Sequence, residues 1–165
     1  MDVNPRGSHY LSFYGTDKKL LETIKNKISS EHKLSTRVGN KNNLCLYRLQ
    51  IGSKELFRIF EDYGLGVSKS KVMRLPQIPK KLLGHFIRGY FDGDGNVWVG
   101  LVHKKRRTQL RVIQTVFTSA SGGFLLDLKN KLRGVGINGT ISCRETYFRL
   151  SFSILSSLKL YDLMY

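Results

Sequence analysis

The chain has 165 residues, 41% of them apolar, enough to build a core for one ordinary domain or two small joined ones. Lysine and arginine number 28 against 12 acids, and the net charge of +16 favours a polyanionic partner, nucleic acid first. No apolar run approaches the roughly 18 residues of a membrane span and no secretory signal is visible, while Cys45 and Cys143 lack metal-site spacing. These features point to an intracellular protein, in cytoplasm or an organelle matrix, neither secreted nor membrane-bound.

In chain order, His9–Tyr14 alternates as a strand. A helix follows in which Leu20, Leu21, Ile24 and Ile28 share one face behind the candidate N-cap Asp17. Ser35–Val38 and Leu44–Ile51 read as strands and Ser53–Tyr63 as a helix. Residues 64–78 read as a linker, and Pro79 suits the first turn of a helix, where its missing N–H costs nothing. That helix, Lys80–Phe91, has Leu82, Leu83, Phe86, Ile87, Tyr90 and Phe91 as its apolar positions and ends at Asp92-Gly93-Asp94-Gly95. A long basic hairpin leads into a strand over Gln109–Phe117. A helix bearing Phe124, Leu125, Leu128 and Leu132 comes next, then strands Gly139–Cys143 and Tyr147–Phe152 and a closing helix Leu155–Met164.

Two blocks recur in the same order. Phe13, Leu21, Ile24 and Lys25-Asn26-Lys27 match Phe117, Leu125, Leu128 and Lys129-Asn130-Lys131 at an offset of 104. Arg48, Leu49, Phe57 and Phe60 match Arg149, Leu150, Leu158 and Tyr161 at an offset of 101. A duplicated unit of about 100 residues accounts for both. The organisation expected is a partial repeat over 1–63, a linker over 64–78 and a complete repeat over 79–165. The helix that opens the second copy has no counterpart in the first, where it would start before Met1; the first copy is either naturally short or preceded by a segment upstream.

Gly89 and Gly93 lie four apart on one helical face. A glycine inside a helix costs about 0.5–1 kcal/mol against alanine, so the pair suggests a second backbone passing close by. Asp92 and Asp94 stand at the helix C-terminus, whose own partial charge is negative and repels them. Asp94-Gly95 alone fits a hairpin turn. A calcium loop counted from Asp92 fails, because positions six and twelve are Val97 and His103. A hard-cation site remains, and Mg2+ (or another divalent cation) fits, since it takes one or two carboxylates and fills its sphere with water and phosphate.

The stretch Phe86-Ile87-Arg88-Gly89-Tyr90-Phe91-Asp92-Gly93-Asp94-Gly95 resembles the signature of the LAGLIDADG homing endonucleases, and residues 79–165 are similar to one whole family domain. The resemblance implies an α+β fold, an αββαββα domain with an antiparallel saddle-like sheet. An incomplete copy without motif helix or first strand precedes it. It implies a site-specific double-strand DNA endonuclease, intron- or intein-associated, hydrolysing phosphodiesters with a metal. In this family two motif helices pack through their small residues, here Gly89 and Gly93. Asp94 would be the catalytic acid, holding the metal with the Gly93 carbonyl, while Asp92 holds the turn. One motif per chain calls for a homodimer, or an absent N-terminal motif segment, at the Gly89/Gly93 face. A non-cleaving DNA-binding protein or RNA maturase on this scaffold, or an inactive fragment of a two-motif enzyme, is the alternative.

A two-stranded ribbon fits the DNA major groove. With Leu110, Val112 and Val116 assigned to the core, alternation puts Gln109, Arg111, Ile113 and Thr115 toward double-stranded DNA, beside Asn96, Trp98 and Gly100 of the preceding strand. Lys104, Lys105, Arg106 and Arg107 at the turn suit phosphates.

Overall fold

Strand alternation and helical periodicity resolve into two units, Met1–Ser68 and Lys69–Tyr165, in a computed structural model that describes residues 1–4, 6–38, 45–66, 71–102 and 107–165. The first unit contains β1 (Asp2–Val3), β2 (His9–Gly15), α1 (Lys18–Lys27), β3 (Leu34–Val38), β4 (Cys45–Gly52) and α2 (Lys54–Asp62). The second contains a 3-10 turn (Lys80–Leu82), α3 (Leu83–Asp94), β5 (Gly95–Val102), β6 (Leu110–Ser119), α4 (Gly122–Arg133), β7 (Gly139–Cys143), β8 (Phe148–Phe152) and α5 (Ile154–Met164). The second unit is the expected αββαββα arrangement.

Both sheets are antiparallel and share one order, β1-β2-β4-β3 and β5-β6-β8-β7. Their centres correspond residue for residue. Phe13 pairs with Leu49 and Phe117 with Leu150, and both leucines are fully buried. The caps of the first helices correspond as well: Asp17 accepts the Leu20 N–H, and Ser121 accepts that of Phe124.

Two sequence expectations change. The first copy does have its first strand, shortened to Asp2–Val3: Asp2 pairs with Tyr10 and Val3 with His9, as Trp98 pairs with Gln114 and Val99 with Ile113. The 101-residue offset holds through the strands and becomes 100 in the closing helices, where Ser53 and Ser153 are the equivalent N-caps. Phe57 therefore corresponds to Ser157, not Leu158, and Phe60 to Leu160, not Tyr161; Phe57 and Ser157 are both buried, while Leu158 and Tyr161 are exposed.

The larger core belongs to the second unit, where Leu83 and Ile87 of α3 meet Phe117, Phe124, Leu150 and Phe152. Residues 71–78, read from the sequence as linker, dock on this unit. Met73 and Leu75 pack on the core, Arg74 grips Asp127 with two hydrogen bonds of 2.7 Å, and the Ser121 hydroxyl donates to the Met73 carbonyl oxygen at 2.6 Å. A bidentate arginine pair of this kind adds geometric specificity to its charge.

Helix α3 extends beyond Phe91, so Asp92 and Asp94 occupy its last turn rather than following it. Its start is held by a close approach to α5. A Cβ on Gly84 would collide with the Leu163 carbonyl oxygen, whereas a Cβ on Gly89 or Gly93 would meet no atom within 4 Å. The three glycines thus separate by experiment. Gly84→Ala should lower stability by about 2 kcal/mol or more, an overpacking cost. Gly89→Ala and Gly93→Ala should each raise the stability of the isolated chain by about 0.5–1 kcal/mol through helix propensity. Urea unfolding of the three variants at low protein concentration checks both statements.

Candidate nucleic-acid interface and acidic helix end

Leu83 and Ile87 turn α3 inward and leave His85, Arg88, Gly89, Asp92, Gly93 and Asp94 exposed. The two aspartates differ in their surroundings. Asp92 faces Arg88 one turn back at 3.8 Å, an exposed and long ion pair that contributes little. Arg88 in turn lies over the Tyr165 ring, 4.6 Å from its centroid. No described cationic side chain pairs with Asp94. The helix passes into β5 without a loop because Gly95 takes an extended conformation and its N–H bonds the Phe91 carbonyl. The Phe91 ring fills the space where any Cβ at 95 would stand. Asp94 is therefore held at a sharp helix-to-strand junction, two residues before Asn96 on the sheet. Among the described residues no three His, Cys, Asp or Glu side chains gather as a metal cage.

Tyr90 fastens this end of α3 to the sheet. Its hydroxyl donates to the Thr118 carbonyl oxygen at 2.6 Å, its ring stacks on Phe117 and meets Phe124 edge-on. Burial chiefly, with a contribution from the Asp94 charge, pushes the Tyr90 pKa up to about 12, against a hydrogen bond with Ser119 that works the other way.

The sheet face next to Asp94 is set by the β5–β6 register. Asn96 pairs with Val116, Trp98 with Gln114 and Gly100 with Val112, so these residues share one side. The other side of β6 belongs to the helices: Phe117 is fully buried, and Thr115 is 5% exposed with its N–H donated to the Ser157 hydroxyl at 3.0 Å. The alternation inferred for β6 was thus inverted. Ile113 and Thr115 face the helices, Arg111 shares their parity though exposed, and Gln109 is exposed just before the strand. Val112 and Val116, assigned to the core for their hydrophobicity, face outward instead. Asn96, Trp98 and Gly100 lie on the outward side, with the Trp98 indole over Gly100 so closely that a Cβ there would collide. Arg107 is exposed; Lys104, Lys105 and Arg106 lie outside the described residues.

The outward side carries residues the alternation missed. Asn96, Trp98, Val102, Gln114, Val116, Thr118 and Arg149 line a concavity of about 520 Å3. The first unit has a matching face, with Tyr14 paired to Arg48 and Ser12 to Gln50. Arg48 lies over the Tyr14 ring at 5.3 Å, and its Nε is buried without a hydrogen-bond partner. The signal was in the repeat: Phe13 and Phe117 are matched core positions, which fixes odd residues of β6 as inward, and Arg48 and Arg149 are matched outward positions.

Two sheets of the same order, one led by a helix whose acidic end abuts the first strand, define a LAGLIDADG-type fold. Residues 81–157 match the family model of the LAGLIDADG-like domain. No curated protein sequence matches the chain. Among solved structures it is similar to the homing endonuclease I-DmoI in complex with DNA and manganese, at 14% identity and a TM-score of 0.62, over 96% of this chain and 82% of that one. It is similar to I-WcaI bound to its DNA recognition sequence, at 17% identity and a TM-score of 0.62, over 93% and 69%. The LAGLIDADG homing endonuclease I-SmaMI bound to cleaved DNA aligns at 13% identity and a TM-score of 0.61, over 95% and 72%. At these identities the likeness establishes the fold.

Because the folded pKa of Tyr90 lies above the ordinary value of 10.0, its contribution is complete below pH 10 and is lost as pH rises through about 12. Tyr90→Phe should cost about 1 kcal/mol at neutral pH through the lost Thr118 bond. It should also flatten the fall in stability between pH 10 and 12. Chemical denaturation of both proteins across that range measures the difference.

Proposed function

We propose that this protein is a site-specific, divalent-metal-dependent endonuclease that cuts both strands of DNA, works inside the cell and is associated with an intron or intein. The observation that carries the reading is the Asp94 carboxylate, without a cationic partner among the described residues, at the junction of the motif helix with a sheet face that presents Asn96, Gln114 and Arg149. Support comes from the printed descriptions of relatives: I-DmoI with DNA and manganese, I-SmaMI with cleaved DNA.

The residues present fit a magnesium-like ion in part. Asp94 would supply a carboxylate oxygen and Gly93 a carbonyl oxygen from the last helical turn, where backbone acceptors lack partners within the helix. With no three-sided cage among the described residues, water and a DNA phosphate must complete the sphere. A divalent ion in such a position supplies an activated water and neutralises charge on the leaving oxygen. The chain's own work is to aim Asp94, through the Tyr90 and Gly95 anchors, and to bind DNA on its sheet faces. Basic residues, Arg107 among those described, would hold phosphates without reading sequence.

Cutting two strands calls for two such acids. The open Gly89/Gly93 face fits a second copy of α3, because nothing within 4 Å would prevent another backbone from coming close. The second reading is a non-cleaving DNA-binding protein or RNA maturase on this scaffold, favoured by the presence of one motif in the chain.

Incubation with magnesium and duplex DNA carrying the insertion site should give double-strand cleavage. Asp94→Asn should lose at least about a hundredfold in cleavage rate, since even the outer partners of metal ligands cost about 10–100-fold, while binding the duplex within about threefold of the parent chain. Equal activity of variant and parent, or no cleavage by either despite tight binding, would overturn the catalytic reading. Gly89→Leu should fold normally yet abolish both self-association in sedimentation and cleavage; if it cuts like the parent, the helix face is not the contact.

A further inference from the structure

We infer that the DNA segment under β5 and β6 is an A·T tract whose thymine methyl groups are read by apolar side chains. The inference rests on the duplex-DNA reading above and adds the chemistry of the sequence recognised. The outward side of this strand pair is unusual for a surface meant to meet a polyanion. Val102, Val112 and Val116 stand there with Trp98, and Trp98 keeps 42% of its surface exposed. They are not core residues displaced by error, because the opposite side of the same strand places Phe117 and Thr115 against the helices. Gln114 lies among them, opposite Trp98, and Asn96 opposite Val116.

In the major groove each base pair presents its own chemistry. G·C offers acceptors and an amino donor and no methyl group, whereas A·T offers the thymine C5 methyl together with the adenine N6/N7 pair that glutamine or asparagine grips bidentately. A row of valines over G·C would desolvate polar edges and return nothing. The same row over thymine buries a methyl group per contact. The equivalent face of the first unit provides an internal contrast: Asp2 stands at the register of Trp98 and Ser12 at that of Val116, with Arg48 and Gln50 beside them. Of these, Arg48 suits guanine and Asp2 suits cytosine, a polar readout of G·C that the valine-bearing face of the second unit lacks.

The test needs no cleavage. The full chain, held in EDTA, is used to select duplexes from a randomised library, and affinities are then measured by fluorescence anisotropy. A contiguous A·T segment should emerge at the positions whose preference Gln114→Ala relaxes. Replacing thymine there by deoxyuridine, which removes only the methyl group, should weaken binding about fourfold per contacted methyl, the value of one buried carbon. The same replacement at positions relaxed by Arg48→Ala should change affinity less than twofold. Val116→Ser should bind more weakly and lose sensitivity to deoxyuridine. A G·C-rich selected segment, or indifference to deoxyuridine, overturns this inference and leaves the DNA reading standing. Failure to select any duplex sequence overturns both.

Discussion

The second unit is organised around Phe117. Its ring is fully buried and meets Tyr90 at 5.3 Å, Phe91 at 6.0 Å and Phe152 at 5.8 Å, so one side chain joins the motif helix, its own strand and β8. A buried aromatic of this kind is worth about 3–5 kcal/mol against alanine, a large share of the 5–15 kcal/mol that holds a domain together. Its position also has a geometric consequence. With Phe117 inward, period-two alternation sends Val112, Gln114, Val116 and Thr118 outward. With α3 seated on that ring by Ile87, Tyr90 and Phe91, helical periodicity leaves Arg88, Gly89, Asp92 and Gly93 on the far side. The outward chemistry of β6, the open glycine face and the placement of Asp94 all follow from one packing contact.

The two units show how a duplicated frame supports different work. The centres of the sheets are retained, with Leu49 and Leu150 equally buried. What differs is the thickness of the support. The first unit packs a small group around Leu11, Leu49 and Ile51, while the second adds α3 and the docked segment bearing Met73 and Leu75. Where the first unit fills a helix–sheet gap with Phe57 against His9, rings 4.6 Å apart, the second has Ser157 bonding the Thr115 backbone. The hydroxyl satisfies an N–H that β8 does not reach, since β8 pairs with β6 only from Val116 onward. The firmer unit is the one that carries the acid.

Much of this was legible in the sequence where residue type and periodicity agreed. The cap Asp17, the apolar stripe of α3 and the repeat of Phe13 and Phe117 each have one reading, and the motif supplied the fold. The misreadings arose where hydrophobicity and parity disagreed. Valines at 112 and 116 looked like core, and a threonine at 115 looked like surface, because the hydroxyl partner of the 115 backbone sits 42 residues away on another element. The extent of α3 was underestimated because two glycines and two aspartates argue locally against helix. Packing of Phe91 against Phe117 holds the helix past them, and no local window of sequence contains that contact. The one-residue slip between β4–α2 and β8–α5 was likewise invisible until the serine caps aligned.

Asp94 poses an energetic problem that the proposed chemistry resolves. A carboxylate at a helix C-terminus faces a partial charge of its own sign, worth about 0.3–1 kcal/mol. Asp92 at least faces Arg88, at 3.8 Å, but no described cation does so for Asp94. In a chain of net charge +16 a lysine could readily have been placed there. Leaving the carboxylate unpaired keeps it available, and leaving it without two further ligands keeps its intrinsic hold on a cation weak. Phosphate oxygens would then complete the sphere only when DNA lies on the sheet. Metal and DNA affinities are therefore coupled in the proposed enzyme, and by linkage each must strengthen the other by the same factor. In the proposed enzyme, the absence of a preformed cage among the described residues would make cleavage conditional on a bound duplex.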